Sequence, residues 1–280
     1  MQRVCLNDTK QIVAHFFAAE NATATVIMAP AMGVEQSYYF PLAHWLVSQN
    51  INCLTFDYEG MGFSNPDKKP INKASLTSWA WDDATSALNW VRSTLPELPI
   101  IWFGHSFGGQ LLPMLQGQEH LNKVVTFNAG NGYWKLNAPQ LRKRSLLMWY
   151  LLVPLLTPLA GYFPGKSIGV VGDIPKYAIW QWRKWCLNPN YMLGAEGKWA
   201  QNLIENLQLD LTAIHCSDDE MLTEQSIHSL HTMFAAENWT LTRLIPEELG
   251  HKRIGHLGFF HKRFSDTLWP EVLLPLLTTN

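Results

Sequence analysis

"IWFGHSFGGQ", running from Ile101 to Gln110, sets a serine among glycines directly after an apolar run. Gly104-His105-Ser106-Phe107-Gly108 fits G-x-S-x-G, the pattern of a serine carried on a sharp strand-to-helix turn. Glycines two residues to either side suit such a turn, because the backbone folds back too closely for side chains. Residues before the motif have strand character and those after it have helical spacing, so its surroundings match its chemistry. Gly109 adds a small residue where the next helix must approach the sheet. A packing turn with an idle serine is the bland competitor, and that context weakens it. Ser106 is the candidate nucleophile.

A serine hydroxyl is a poor nucleophile near neutral pH and needs a base. Behind an elbow of this kind, an acid follows a late strand and a histidine lies near the C-terminus. "IGHLGFF" supplies His256 amid apolar neighbours, whereas His251 borders Lys252 and Arg253, which oppose an imidazolium. His256 is favoured as the base. The run "LTAIHCS" leads into "DDE", where Asp218, Asp219 and Glu220 compete to orient the imidazole. Asp219 is preferred and Asp218 comes next, since Asp219 leaves a short connector to Thr223, a candidate helix cap. Two backbone amides should receive the oxyanion, one from Phe107 and the other from Met32 after "ATVIMAP".

Further out, "ATVIMAP", "INCLTFDY", "PIIWFG", "KVVTFNAG" and "LTAIHCS" read as strands buried on both faces, and "WTLTRLIP" as another with some alternation. Between the first four lie "YYFPLAHWLVSQ", "LTSWAWDDATSALNWVRSTL" and "GGQLLPMLQGQ", all with helical spacing. Ser75, Thr77 or Ser78 can cap the second of these. The alternation predicts an α/β fold, a mostly parallel sheet flanked by helices. "RVCLN" and "IVAHFFA" are expected to form an antiparallel hairpin at one edge. From Asn131 to about Asn206 the rhythm breaks into Trp-, Leu- and Pro-rich sequence, read as a mostly helical insertion.

Composition narrows the function. A net charge of −2 gives no electrostatic case for nucleic acid. The four cysteines lack metal-type spacing, and Cys53 and Cys216 lie in apolar, strand-like runs where buried reduced thiols are expected, with no metal and a cytoplasmic location. Asp8 and Lys10 interrupt the opening where a leader peptide needs an unbroken apolar stretch. Ser145 to Gly165 is uncharged and follows a basic "RKR", but Pro154, Pro158 and Pro164 argue against a membrane-spanning helix. Short apolar helices, able to touch a membrane surface peripherally, are expected there instead.

These motifs resemble the α/β-hydrolase superfamily. Within it, the chain is similar to a bacterial group related to serine aminopeptidase-like and lysophospholipase-like proteins. "FDYEGMGFS" (Phe56–Ser64) looks like the superfamily's D-x-x-G-x-G-x-S turn, "GHSFGGQ" its elbow, "SDDEMLT" its acid loop and "IGHLGFF" its histidine loop. The resemblance covers nearly the whole chain. It implies an α/β-hydrolase core over 1–130 and 207–280, a helical lid over 131–206, and a structural role for Asp57. There are two departures: Pro30-Ala31 stands where many relatives carry His-Gly, and Glu59 where relatives often carry Arg.

The expected function is a serine hydrolase acting on carboxylic esters or thioesters through Ser106, His256 and Asp219, without a cofactor. An insertion rich in apolar and aromatic residues favours an apolar acyl or aromatic part in a small-molecule substrate. Most of its tryptophans should nonetheless build its own core. Acyl transfer by the same residues, and ligand binding without catalysis, are the alternatives.

Overall fold

The computed structural model describes residues 1–67, 73–205, 207, 209–235 and 239–278. Eight strands form one sheet: β1 (Gln2–Asn7), β2 (Ile12–Phe17), β3 (Ala24–Ala29), β4 (Ile51–Phe56), β5 (Ile100–His105), β6 (Lys123–Phe127), β7 (Leu211–Cys216) and β8 (Trp239–Leu244). Their spatial order is β1-β2-β4-β3-β5-β6-β7-β8. From β4 to β8 every neighbouring pair is parallel. Only the β1–β2 hairpin and its contact with β4 are antiparallel. Each expected strand is present; most end one to three residues early where they run into a loop, while β1 begins one residue sooner, at Gln2, and β5 is shifted by one to Ile100–His105.

Alternation along the strands builds two apolar layers. Trp102 of β5 packs on one side with Trp79, Leu88 and Phe107. Ile101 and Phe103 point to the other side, against Tyr39, Leu46, Phe260 and Trp269. Being covered on both faces is why β3 to β7 read as mostly apolar runs, while the edge strand β8 is only partly buried.

The crossover helix between β4 and β5 starts at Ser75. Its hydroxyl accepts from the Ser78 amide while Ser78 Oγ accepts from the Ser75 amide, a reciprocal capping box. That helix widens into π-turns over Trp79–Ala84 before resuming at Thr85–Thr94. The helix expected after the elbow is shorter than its apolar spacing implies. It covers Phe107–Gln110 and gives way to a 3₁₀ turn at Leu112–Met114, where Pro113 has no amide to donate.

Between β6 and β7 the chain makes a mostly helical excursion, with a two-residue strand ladder pairing Tyr162–Phe163 with Ile174–Pro175. Residue 206, where the expected insertion ends, lies outside the described residues. The first ten residues stay tied to the core. The Asn131 amide donates to Ser226 O (2.8 Å), and the Ala138 amide donates to Met221 O (2.9 Å). Thr223 Oγ1 donates to Leu136 O (2.7 Å), and a lone β-bridge joins Asn137 to Leu222. Thr223 Oγ1 also accepts from the Ser226 amide (3.2 Å) at the start of the helix Glu224–Ala235. In the apolar stretch 145–165 the helix stops at Ala160, with Gly161 in the left-handed conformation (φ 78°). Among the described residues no helix is long and apolar enough to cross a membrane.

Candidate active site

Ser106 directly follows β5 and has φ 51° and ψ −112°, a conformation a side chain adopts only when its surroundings compel it. Here they do. Its amide donates to Phe127 O on the next strand (2.9 Å), and the following residues turn straight into a helix. A Cβ on Gly108 would collide with the Ala29 carbonyl of β3, and one on Gly104 would lie 2.6 Å from Gly108 O. The two motif glycines are what let three backbone segments meet beneath the serine.

The acid loop and the histidine loop are bound to each other by three consecutive carboxylates. Asp219 Oδ2 lies 2.8 Å from His256 Nδ1, both side chains being almost wholly buried. Its other oxygen accepts from the amides of Met221 (2.7 Å) and Leu222 (3.1 Å). Asp218 takes a different task, accepting the amides of Ile254 and Gly255 at 2.9 Å each. Glu220 accepts the His256 amide (3.0 Å) and pairs with Arg253 (3.1 Å). Burial by itself would lower the His256 pKa. The adjoining Asp219 charge and hydrogen bond, with help from Glu220, outweigh burial and raise it. With Nδ1–H donated to Asp219, Nε2 is the free acceptor.

Behind the elbow lies a chain of hydrogen bonds that no spacing in the sequence announces. His105 Nε2 is 2.9 Å from the His256 carbonyl, and its Nδ1 is 2.9 Å from Tyr39 Oη. Complete burial, followed by the charge of His256, holds the His105 pKa well below its usual value, so the ring carries one proton. A carbonyl can only accept, which puts that proton on Nε2 and leaves Nδ1 to accept from the Tyr39 hydroxyl. Tyr39 Oη in turn accepts the Ala31 amide (2.9 Å). The loop after β3, the elbow residue beside the serine and the histidine loop are thus joined by bonds of determined direction.

Met32 follows Ala31 in that loop and is buried, and Phe107 opens the helix after the elbow. Among the described residues neither amide is taken by a protein acceptor, whereas that of Ala31 is. Ala31 lies outside the left-handed region, so its backbone does not demand glycine. Asp57 accepts the amides of Gln36 and Phe63 at 2.8 Å each, the turn-shaping part expected of it. Glu59 meets Lys10 (3.4 Å), which also binds Asp82 (2.6 Å), so a cation from the β1–β2 turn serves an acidic cluster there. His251 packs edge-on against Phe264, 5.0 Å between centroids.

Ser106 and His256 face one cavity of about 460 Å³. The residues after β6 supply most of its apolar wall, including Leu141, Met148, Trp149, Leu152 and Trp182, while Met221 and Leu222 come from the acid loop. Trp149 and Trp182 meet edge to face at 5.1 Å on this wall, whereas Trp185 is buried elsewhere and donates to Glu196 (2.6 Å). Among the described lining residues there is no aspartate or glutamate, and Arg144 is the permanent cation. No hydrogen bond links Ser106 Oγ to His256 Nε2 among the described contacts. Such bonds commonly tighten only when a substrate is bound. Among the described residues no group of three or more His, Cys, Asp or Glu side chains is placed to hold a metal ion.

The family model described as "Serine aminopeptidase, S33" (Hydrolase_4) matches residues 20–251. The uncharacterized protein YfhR of Escherichia coli (strain K12) is 39% identical over 93 residues, 32% of this chain and 30% of that protein. YfhR of Salmonella typhimurium is 35% identical over 96 residues, 34% of this chain and 30% of that protein. The matched segment therefore spans under a third of these relatives. A soluble variant of monoglyceride lipase from Saccharomyces cerevisiae superposes with a TM-score of 0.65 at 13% identity, covering 95% of this chain and 93% of that one. A carboxyl esterase from Bacillus coagulans gives 0.61 at 11% identity, covering 87% and 89%. Likeness at such identities establishes the fold alone.

Proposed function

The chain belongs to the Hydrolase_4 (serine aminopeptidase, S33) family and is an α/β serine hydrolase, and from that premise we propose that it cleaves carboxylic esters or thioesters with an apolar acyl or aromatic part. One observation carries the proposal: Asp219 holds the His256 imidazole at 2.8 Å, and that imidazole shares a largely apolar cavity with Ser106. In the proposed reaction Ser106 Oγ attacks the substrate carbonyl carbon while His256 Nε2 takes the hydroxyl proton. Asp219 stabilises the imidazolium, and the amides of Met32 and Phe107 receive the oxyanion. Collapse breaks the ester bond, and Nε2 passes its proton to the departing alcohol or thiol. Water, deprotonated by the same nitrogen, then attacks acyl-Ser106; the acyl–Oγ bond breaks, Nε2 returns the proton to Ser106 Oγ, and the acid is freed.

The wall of the cavity favours esters over peptides. An amino-terminal substrate carries a cationic amine, and the described lining offers it no carboxylate. The cavity and its apolar wall support a small-molecule substrate and require no nucleic acid. A cytoplasmic location belongs to the same proposal, supported by four free thiols.

A panel of p-nitrophenyl esters from acetate to palmitate, with Ser106→Ala as control, tests the reading. Turnover and fluorophosphonate labelling should both vanish in the variant, by about four orders of magnitude or more for turnover. Unchanged hydrolysis by Ser106→Ala would refute it. Partition of the acyl group toward an added alcohol measures any transferase component, and ligand binding without labelling would identify a receptor.

A further inference from the structure

The segment 139–160 forms a helical rod whose inner side is buried at Trp149, Val153 and Thr157. Its outer side should be polar if it faced only water. Instead Leu147, Leu151, Leu155 and Leu159 stand 51%, 52%, 53% and 78% exposed, with Tyr150 beside them at 62%. Steps of four residues drift around an α-helix, and the wider π-turn at Met148–Leu152 takes back part of that drift, so the leucines keep close to one line. Lys143, also exposed, stands one step before Leu147. It is flanked by exposed Arg142 and Arg144, and among the described residues none of these three cations has an acidic partner.

We propose that this face docks on the surface of an anionic lipid bilayer. The leucines and Tyr150 enter the boundary between head groups and acyl chains, and the three cations meet lipid phosphates. Charge decides against a second copy of the chain as the occupant. Residues 139–160 contain no aspartate or glutamate, so a self-paired face would bring cations with nothing to neutralise them. Leu147 also lines the cavity, as does Val170, 48% exposed. Docking therefore sets the cavity mouth against the lipid, where an apolar substrate is already concentrated. The surface is independent of Ser106 chemistry.

The test is co-sedimentation of the full chain with phosphatidylcholine vesicles, with and without phosphatidylglycerol. The chain should pellet with the phosphatidylglycerol vesicles, bind the neutral ones less, and be released in part by high salt. Leu155→Glu and Leu159→Glu should each lower vesicle affinity tenfold or more while leaving p-nitrophenyl acetate hydrolysis within twofold of the parent. Lys143→Glu, which removes no apolar contact, should weaken only the anionic-lipid component. Ser106→Ala should bind vesicles like the parent, which separates this proposal from the catalytic one. Failure of the parent to pellet, or equal binding by Leu155→Glu, overturns it. So does light scattering that shows a dimer which Leu155→Glu converts to monomer.

Discussion

The loops at the ends of β5 and β7 and the excursion after β6 both line the cavity, yet they are built by opposite means. Around His256 the backbone is held by directed hydrogen bonds, with amides gripped by Asp218, Asp219 and Glu220 and the imidazole held by Asp219. On the excursion side the cavity wall is apolar contact, with Trp149 against Trp182 and Leu152 beside them. Hydrogen bonds specify direction and tolerate little change, whereas apolar contact specifies volume and tolerates substitution of similar size. One region suits chemistry that must be held still, and the other suits substrate selection that can be altered.

Asp219→Asn should break the first region most severely. Turnover is expected to fall by about 10⁴, because an amide can hold the wrong imidazole tautomer. The base works only when neutral, and Asp219 raises the His256 pKa, so activity rises with pH through that raised value. Removing the charge should move the acidic limb of the kcat/KM profile to lower pH. A limb that stays in place would show that another group controls it.

Leu152→Trp probes the second region by filling the cavity. Hydrolysis of p-nitrophenyl decanoate should drop by about tenfold or more while the acetate is little affected, since pocket contacts act on acyl length. Equal losses on both esters would mean that the excursion does more than select. Tyr39→Phe removes one hydroxyl from the chain joining Ala31, His105 and His256. It strands two buried groups, and kcat should fall by about an order of magnitude with KM unchanged. Asp218→Asn is the gentlest, expected to cost about 1–3 kcal/mol of stability in urea titration while leaving the pH limb where it was.

The contrast between the regions also sets what could be read from the chain alone. The elbow was legible because glycine at 104 and 108 is a steric requirement and leaves a mark at fixed spacing. The buried strands were legible for a similar reason, since their cover on both faces dictates residue type. Among Asp218, Asp219 and Glu220 the sequence offers only connector length as a distinction, and neighbouring acids give no sign of how they share the histidine loop. Which oxygen meets which amide depends on a turn made by the Asp219 amide on Cys216 O (3.0 Å). Tyr39 and His105 left no pattern, because their link forms only when three distant loops converge. In the excursion, apolar residues occur on both sides of a helix, so periodicity could not separate cavity wall from outer surface.

The bonds that join Leu136 to Thr223 and Ala138 to Met221 carry a mechanical consequence. They fasten the base of the excursion to the loop that bears Asp219. A swing pivoting at 131 would drag the carboxylate off its imidazole. A swing pivoting past Ala138 would leave those two bonds and the Asp219–His256 contact in place, so under the proposed mechanism any movement that admits substrate without disturbing the imidazole has to pivot downstream of that anchor.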